Sequence, residues 1–114
     1  METAKGMRDM AKLYAMDERL LTEKPEIRIG DRVYAVDNRM RTFEAMNGAL
    51  NEPGGNGREF EIVLRHALGE KAYEEISDMD LSFPAMHRVV VLIMAAMQDI
   101  TEEQAESRFQ NAGQ

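Results

Sequence analysis

Cysteine is absent from this chain, which excludes a disulfide framework, a thiolate metal site and a cysteine nucleophile together. That absence fits a reducing cytosol. An excess of positive charge is missing too. Fourteen Lys and Arg stand against twenty-one Asp and Glu, a formal charge of −7 that repels phosphate backbones and anionic lipid. The nearest thing to a basic cluster, Arg28, Arg32, Arg39 and Arg41, is interrupted by Asp31 and Asp37 and reads as a mixed solvated surface. Nucleic acid is not an expected partner. Long apolar runs are lacking as well: Val89 to Met97 is about half of what a bilayer crossing needs. Met1 to Met10 mixes Glu2, Lys5, Arg8 and Asp9 with apolar positions and offers no signal-peptide core. The expectation is a cytoplasmic protein without a membrane partner.

Recognisable spacings for chemistry are equally scarce. His66 and His87 are the only histidines, and neither belongs to a metal-binding pattern. The helical wheel puts His87 outside its helix, beside Arg88. Asp78 and Asp80, with Glu74 and Glu75 nearby, lack the alternating oxygens, central glycine and terminal glutamate of a calcium loop, so they read as an acidic helix end. Gly54, Gly55 and Gly57 resemble a phosphate cradle only in composition, because no strand precedes them and no Gly-Lys-Ser or Gly-Lys-Thr follows. No serine lies in a nucleophile motif. The reading is therefore not an enzyme, with no cofactor and no metal.

What is present is helical periodicity. At 114 residues the chain suits one domain spanning residues 1–114. Met7, Met10, Ala11, Tyr14 and Leu21 recur near helical spacing, with Leu13, Met16 and Leu20 widening the stripe, which predicts an amphipathic helix over residues 1–22. Pro25 ends it. Ile27, Ile29, Tyr34 and Val36 then alternate around Gly30-Asp31, predicting a hairpin over 26–37 with Ile27 opposite Tyr34 and Ile29 opposite Arg32. A helical core follows over residues 38–110. Asp37 or Asn38 is the expected cap for a helix bearing Met40, Phe43, Met46 and Leu50, and residues 51–57 form a breaker-rich flexible loop. Phe60, Val63, Leu64, Ala67 and Leu68 mark the next helix, with Gly69 expected in a left-handed C-terminal turn. Ala72, Tyr73 and Ile76 mark a short one. Ser82 caps, and Pro84 begins, a central core helix carrying Met86 to Met97. Thr101-Glu102-Glu103-Gln104 is a capping box that opens the last helix, with Ile100 and Ala105 as its staple. The fold class expected is mainly α within α+β, a compact bundle of five to six helices with one small hairpin.

Ten methionines give adaptable apolar surface, suited to irregular partners or to a core. Core packing is the reading for Met86, Met94 and Met97. Met7, Met10 and Met16 can equally face a partner. The candidate partner-binding face is therefore Met7, Met10, Tyr14 and Leu21.

The run Glu26-Ile27-Arg28-Ile29-Gly30-Asp31-Arg32-Val33-Tyr34-Ala35-Val36-Asp37, then Ala67-Leu68-Gly69-Glu70-Lys71-Ala72, Asp80-Leu81-Ser82-Phe83-Pro84 and a Met-Ala-Ala-Met helix resembles the small tail assembly chaperones of long-tailed phages and prophages of Gram-positive bacteria. The resemblance covers residues 26–109 and contains no catalytic signature. It implies a protein that binds the tape measure protein, keeps it soluble until the tail tube polymerises, and stays in the host cytoplasm rather than the mature virion. It also implies self-association and contact with the tail tube protein as further expectations. A small acidic phage-encoded inhibitor is the alternative, though it calls for carboxylates arrayed on one surface where these are dispersed among arginines.

Overall fold

The computed structural model describes residues 12–112, with side chains described through residue 109. Among these, six helices and a two-stranded antiparallel hairpin are present, as the periodicities predict: α1 (Glu18–Thr22), β1 (Glu26–Ile29), β2 (Arg32–Ala35), α2 (Met40–Asn51), α3 (Glu59–Leu68), α4 (Glu70–Asp78), α5 (Phe83–Gln98) and α6 (Glu102–Ala112). The hairpin has the expected register, Ile27 opposite Tyr34 and Ile29 opposite Arg32, because Gly30 takes the positive φ of +63° that the tight turn needs. Its inner face, Ile27, Tyr34 and then Val36, packs into the core, while Val33 on the other face stays exposed.

The apolar run Val89–Met97 becomes α5, whose Val89, Val90, Val91, Ile93, Met94 and Met97 are buried. It packs against α3, β1 and α6. Helix α3 contributes Ile62, Val63, Leu64 and Ala67, and also packs on α2 and α4. Met46 of α2 and Ile76 of α4 are fully buried between these elements. Met86 is half-buried against the same cluster. Hydrophobic burial of this kind supplies most of the driving force, so the core sits around α3 and α5.

The caps follow from the sequence. Ser82 Oγ accepts from the Ala85 amide at 3.3 Å, with Pro84 in the first turn of α5. The Thr101–Gln104 box closes reciprocally, each side chain accepting from the other's backbone N–H at 3.1 Å. Ala105 is buried and Ile100 packs on the core beside it.

Four expectations need correction. A continuous helix over residues 1–22 is not formed: residues 1–11 lie outside the described residues, 12–17 have no regular structure, and Glu18–Thr22 is helical, capped by Asp17, which accepts the Arg19 amide at 2.9 Å. Among the described residues, the stripe's apolar side chains Leu13, Tyr14, Met16, Leu20 and Leu21 stay outside the core cluster, and a short helix without tertiary support does not propagate. Neither Asp37 nor Asn38 occupies the cap of α2. Arg39 does, and Asp37 works from outside the helix by accepting the Arg39 amide at 3.2 Å and the Thr42 hydroxyl at 2.8 Å. Gly69 has positive φ but an extended ψ (+96°, 165°), which turns the chain directly from α3 into α4 instead of closing a left-handed cap. His87 is not on the exterior; it is half-buried and bonded to α6. The breaker segment, for its part, forms a single 3₁₀ turn, Pro53–Gly55, with Gly55 buried against the end of α2.

Candidate partner-binding surface

Residues 12–24 lie outside the core as an N-terminal strap. Leu13, Tyr14, Met16, Leu20 and Leu21 account for five of the eight large apolar side chains exposed among the described residues, and none joins the core cluster. Of the residues singled out by sequence, Tyr14 is 85% exposed and Leu21 69% exposed. Met7 and Met10 lie outside the described residues. Tyr14 and Leu21 do not share one continuous helix, since Tyr14 precedes the cap at Asp17. They share a short segment of chain rather than a helix face.

Two properties suit the strap to a macromolecular contact. Exposed large apolar side chains that cluster mark contact surfaces, and five of the eight exposed among the described residues fall within the nine residues Leu13 to Leu21. The strap is also electrically balanced. Lys12, Arg19 and Lys24 offset Asp17, Glu18 and Glu23, whereas the whole chain carries −7. Arg19 is internally paired with Glu23 at 3.3 Å. The formal excess of negative charge therefore lies outside residues 12–24.

Where Pro25 enters the hairpin, its carbonyl accepts the Val36 amide at 2.9 Å, and the Asp37 amide donates to the Ala67 carbonyl at 2.8 Å. An open depression of about 430 Å³ lies beside this junction, lined by Lys24 from the strap, Ala35–Arg39, and His66–Gly69. Asp37 on its rim is held well below the usual carboxylate range, first by the Arg39 guanidinium at 2.9–3.0 Å and then by the Thr42 hydroxyl, against the opposing cost of burial. His66 Nδ1 bonds the Ile62 carbonyl one turn back at 2.9 Å, a structural contact.

Sequence reasoning missed a chain of rings at the other side of α5. Phe83, 73% exposed, stands 5.3 Å from Phe60; Phe60 meets His87 edge-on at 6.4 Å; His87 meets Phe109 at 5.3 Å. His87 Nε2 lies 2.7 Å from Glu106 Oε2, and Arg88 pairs with Glu102 beside it. These contacts fasten α6 to α5. Nothing in the local sequence signals them, because the three elements meet only in the fold. Asp78 and Asp80 do sit at a helix end: α4 finishes at Asp78, and Asp80 takes a positive φ of 52° beyond it. No group of three or more His, Cys, Asp or Glu side chains placed to hold a metal ion occurs among the described residues.

The chain matches no protein-family model, no curated protein and no solved structure.

Proposed function

We propose that this chain is a tail assembly chaperone of a long-tailed phage or prophage, binding the tape measure protein through its N-terminal strap and keeping it soluble until the tail tube polymerises. The observation that carries the reading is the concentration of Leu13, Tyr14, Met16, Leu20 and Leu21 on a neutral strap outside an acidic body. A tape measure is a long helical protein with apolar seams. Adaptable apolar side chains, methionine among them, cover such seams, and the carboxylates of the body keep the complex dissolved. No nucleotide is needed, since tube subunits competing for the same seams displace the chaperone by mass action. This role takes place in the host cytoplasm and involves no catalytic step.

The inhibitor alternative gains less support. Many carboxylates are neutralised locally, Asp37 by Arg39, Glu61 by Arg58 and Arg65, and Glu75 by Arg32, so they do not form the unbroken acidic face that a nucleic-acid mimic presents. Co-expression with a phage tape measure protein tests the proposal. The tape measure is expected in the soluble fraction and to co-elute with the chaperone. Separate elution, with the tape measure equally insoluble in both cases, would refute the assignment.

A further inference from the structure

We propose that α6 is an exchangeable arm: it leaves its seat on α5, straightens into one helix with α5, and takes the same seat on a second copy of this chain, which returns its own α6. The seat and its occupant are both seen in the closed chain. Helix α6 packs mainly on α5, and its side-chain clasps all go to that helix: Glu102 to Arg88, Glu106 to His87 at 2.7 Å, and Arg108 to Gln98. Ala105 is fully buried and Phe109 meets the His87 ring at 5.3 Å. Glu102, Ala105, Glu106 and Phe109 are spaced i, i+3, i+4 and i+7, the pattern of a helix laid in a groove, and the other described side chains of α6 are exposed. A second copy supplies that pattern residue for residue, so exchange keeps every one of these contacts and makes them between chains.

The hinge is the reason to expect it. Between α5 and α6 the chain bends by 110° over Asp99-Ile100-Thr101, a segment with neither glycine nor proline to stop a helix. The bend rests on Asp99 alone taking a left-handed conformation (φ 55°, ψ 50°), which side chains other than glycine seldom hold. The Asp99 amide already donates to the Ala95 carbonyl as in an unbroken helix, and the Ile100 amide shares that acceptor at 3.1 Å. Returning Asp99 to right-handed geometry hands Ile100 to the Ala96 carbonyl, and residues 83–109 become one rod of about 40 Å. Against this stands the Thr101–Gln104 box, whose two bonds exist only while α6 begins at Thr101. Strain and box thus oppose each other at one short hinge, the setting in which arms exchange. Exchange would also put two straps on one particle, a gain in avidity that rests on the strap being the partner-binding element; the exchange itself rests on α5 and α6.

Analytical ultracentrifugation of the full-length chain, refolded from urea, measures the exchange. Asp99→Ala penalises the left-handed bend and favours helix, about tenfold at each of two hinges, so the dimer should tighten about a hundredfold over the unmodified chain. Asp99→Gly should weaken it. Thr101→Ala, also at an exposed position, removes the box and should tighten the dimer by about fivefold per hinge. A mixture of Arg88→Glu chains with Glu102→Arg chains, each also carrying Asp99→Ala, then shows which chain supplies α6. Exchange pairs opposite charges at both seats of the mixed dimer and like charges in either pure one, so mixed dimers should make up about three-quarters or more of the total. Dimers that keep α6 at home have the same clash in every combination and mix at the statistical half. Equal dissociation constants for Asp99→Ala and Asp99→Gly, statistical mixing, or Asp99→Ala and Thr101→Ala both monomeric up to about 1 mM would each overturn exchange. Because no tape measure is present, failure here leaves the chaperone reading standing, and failure of tape measure binding leaves exchange standing.

Discussion

Gly55 ends the turn after α2 at a point where the chain folds back on the helix it has just left. A Cβ built there would lie 2.3 Å from the Ala49 carbonyl oxygen, 3.0 Å from the Leu50 oxygen and 3.2 Å from the Leu50 carbonyl carbon. All three are backbone atoms, so no rotamer change relieves the overlap. Either the last turn of α2 shifts, or the 3₁₀ turn loses the Gly55 amide bond to the Glu52 carbonyl at 2.9 Å. Overpacking of this kind costs about 2–3 kcal/mol. In a domain of this size, that lowers the melting temperature by about 10 °C. The neighbouring Gly54 has nothing within 4 Å of its Cβ position and no positive φ, so Gly54→Ala should change stability by less than about 0.5 kcal/mol. Thermal and urea unfolding followed by circular dichroism compare the two variants directly. Equal stability of Gly55→Ala and Gly54→Ala would show that the turn does not press on α2 and would refute the reasoning.

Three further expectations rest on polar contacts and backbone conformation. Asp37 has a folded pKa below its unfolded value of about 3.9, so its contribution is complete above that value and is lost as pH falls toward the folded pKa. Asp37→Asn should therefore cost about 1 kcal/mol at pH 7, discounted for the exposed Arg39, and should flatten the stability loss in acid unfolding between about pH 5 and 2; a parallel acid profile would contradict the assignment. Thr101→Ala removes one half of the capping box and should lower stability by about 1 kcal/mol in urea titration, with Gln104→Ala no more than additive. Asp99, at φ 55° after α5, holds a left-handed conformation that glycine adopts without a Cβ penalty, so Asp99→Gly should raise the stability measured in urea by about 0.5 kcal/mol.

Local signals carry much of the fold. The hairpin register follows from period-two alternation around Gly30-Asp31, and the starts of α5 and α6 follow from Ser82-Pro84 and the Thr101–Gln104 box, all of which act within a few residues. What depends on distant chain is harder to read. The stripe from Met7 to Leu21 has helical spacing, but spacing yields a helix only when another surface covers it, and in the described part only Glu18–Thr22 forms one. His87 reads as exterior on the wheel of α5 because the wheel contains no α6; Glu106 and Phe109 arrive from that helix to cover it. The depression joins residues from the strap, the hairpin exit and the end of α3, three places that only the fold brings together. Tyr14 and Leu21 can be named from sequence as apolar residues with no evident core role, whereas their exposure can be read only once the core is known to close without them.

The chaperone proposal depends most directly on the strap, and Tyr14→Asp combined with Leu21→Asp probes it. Both side chains are exposed, so the melting temperature should stay within about 2 °C of the unmodified protein. With the tape measure protein co-expressed, the amount recovered with the chaperone should fall about tenfold or more, as loss of about 1.4 kcal/mol of apolar contact requires. Undiminished recovery with the doubly charged strap would contradict the central claim.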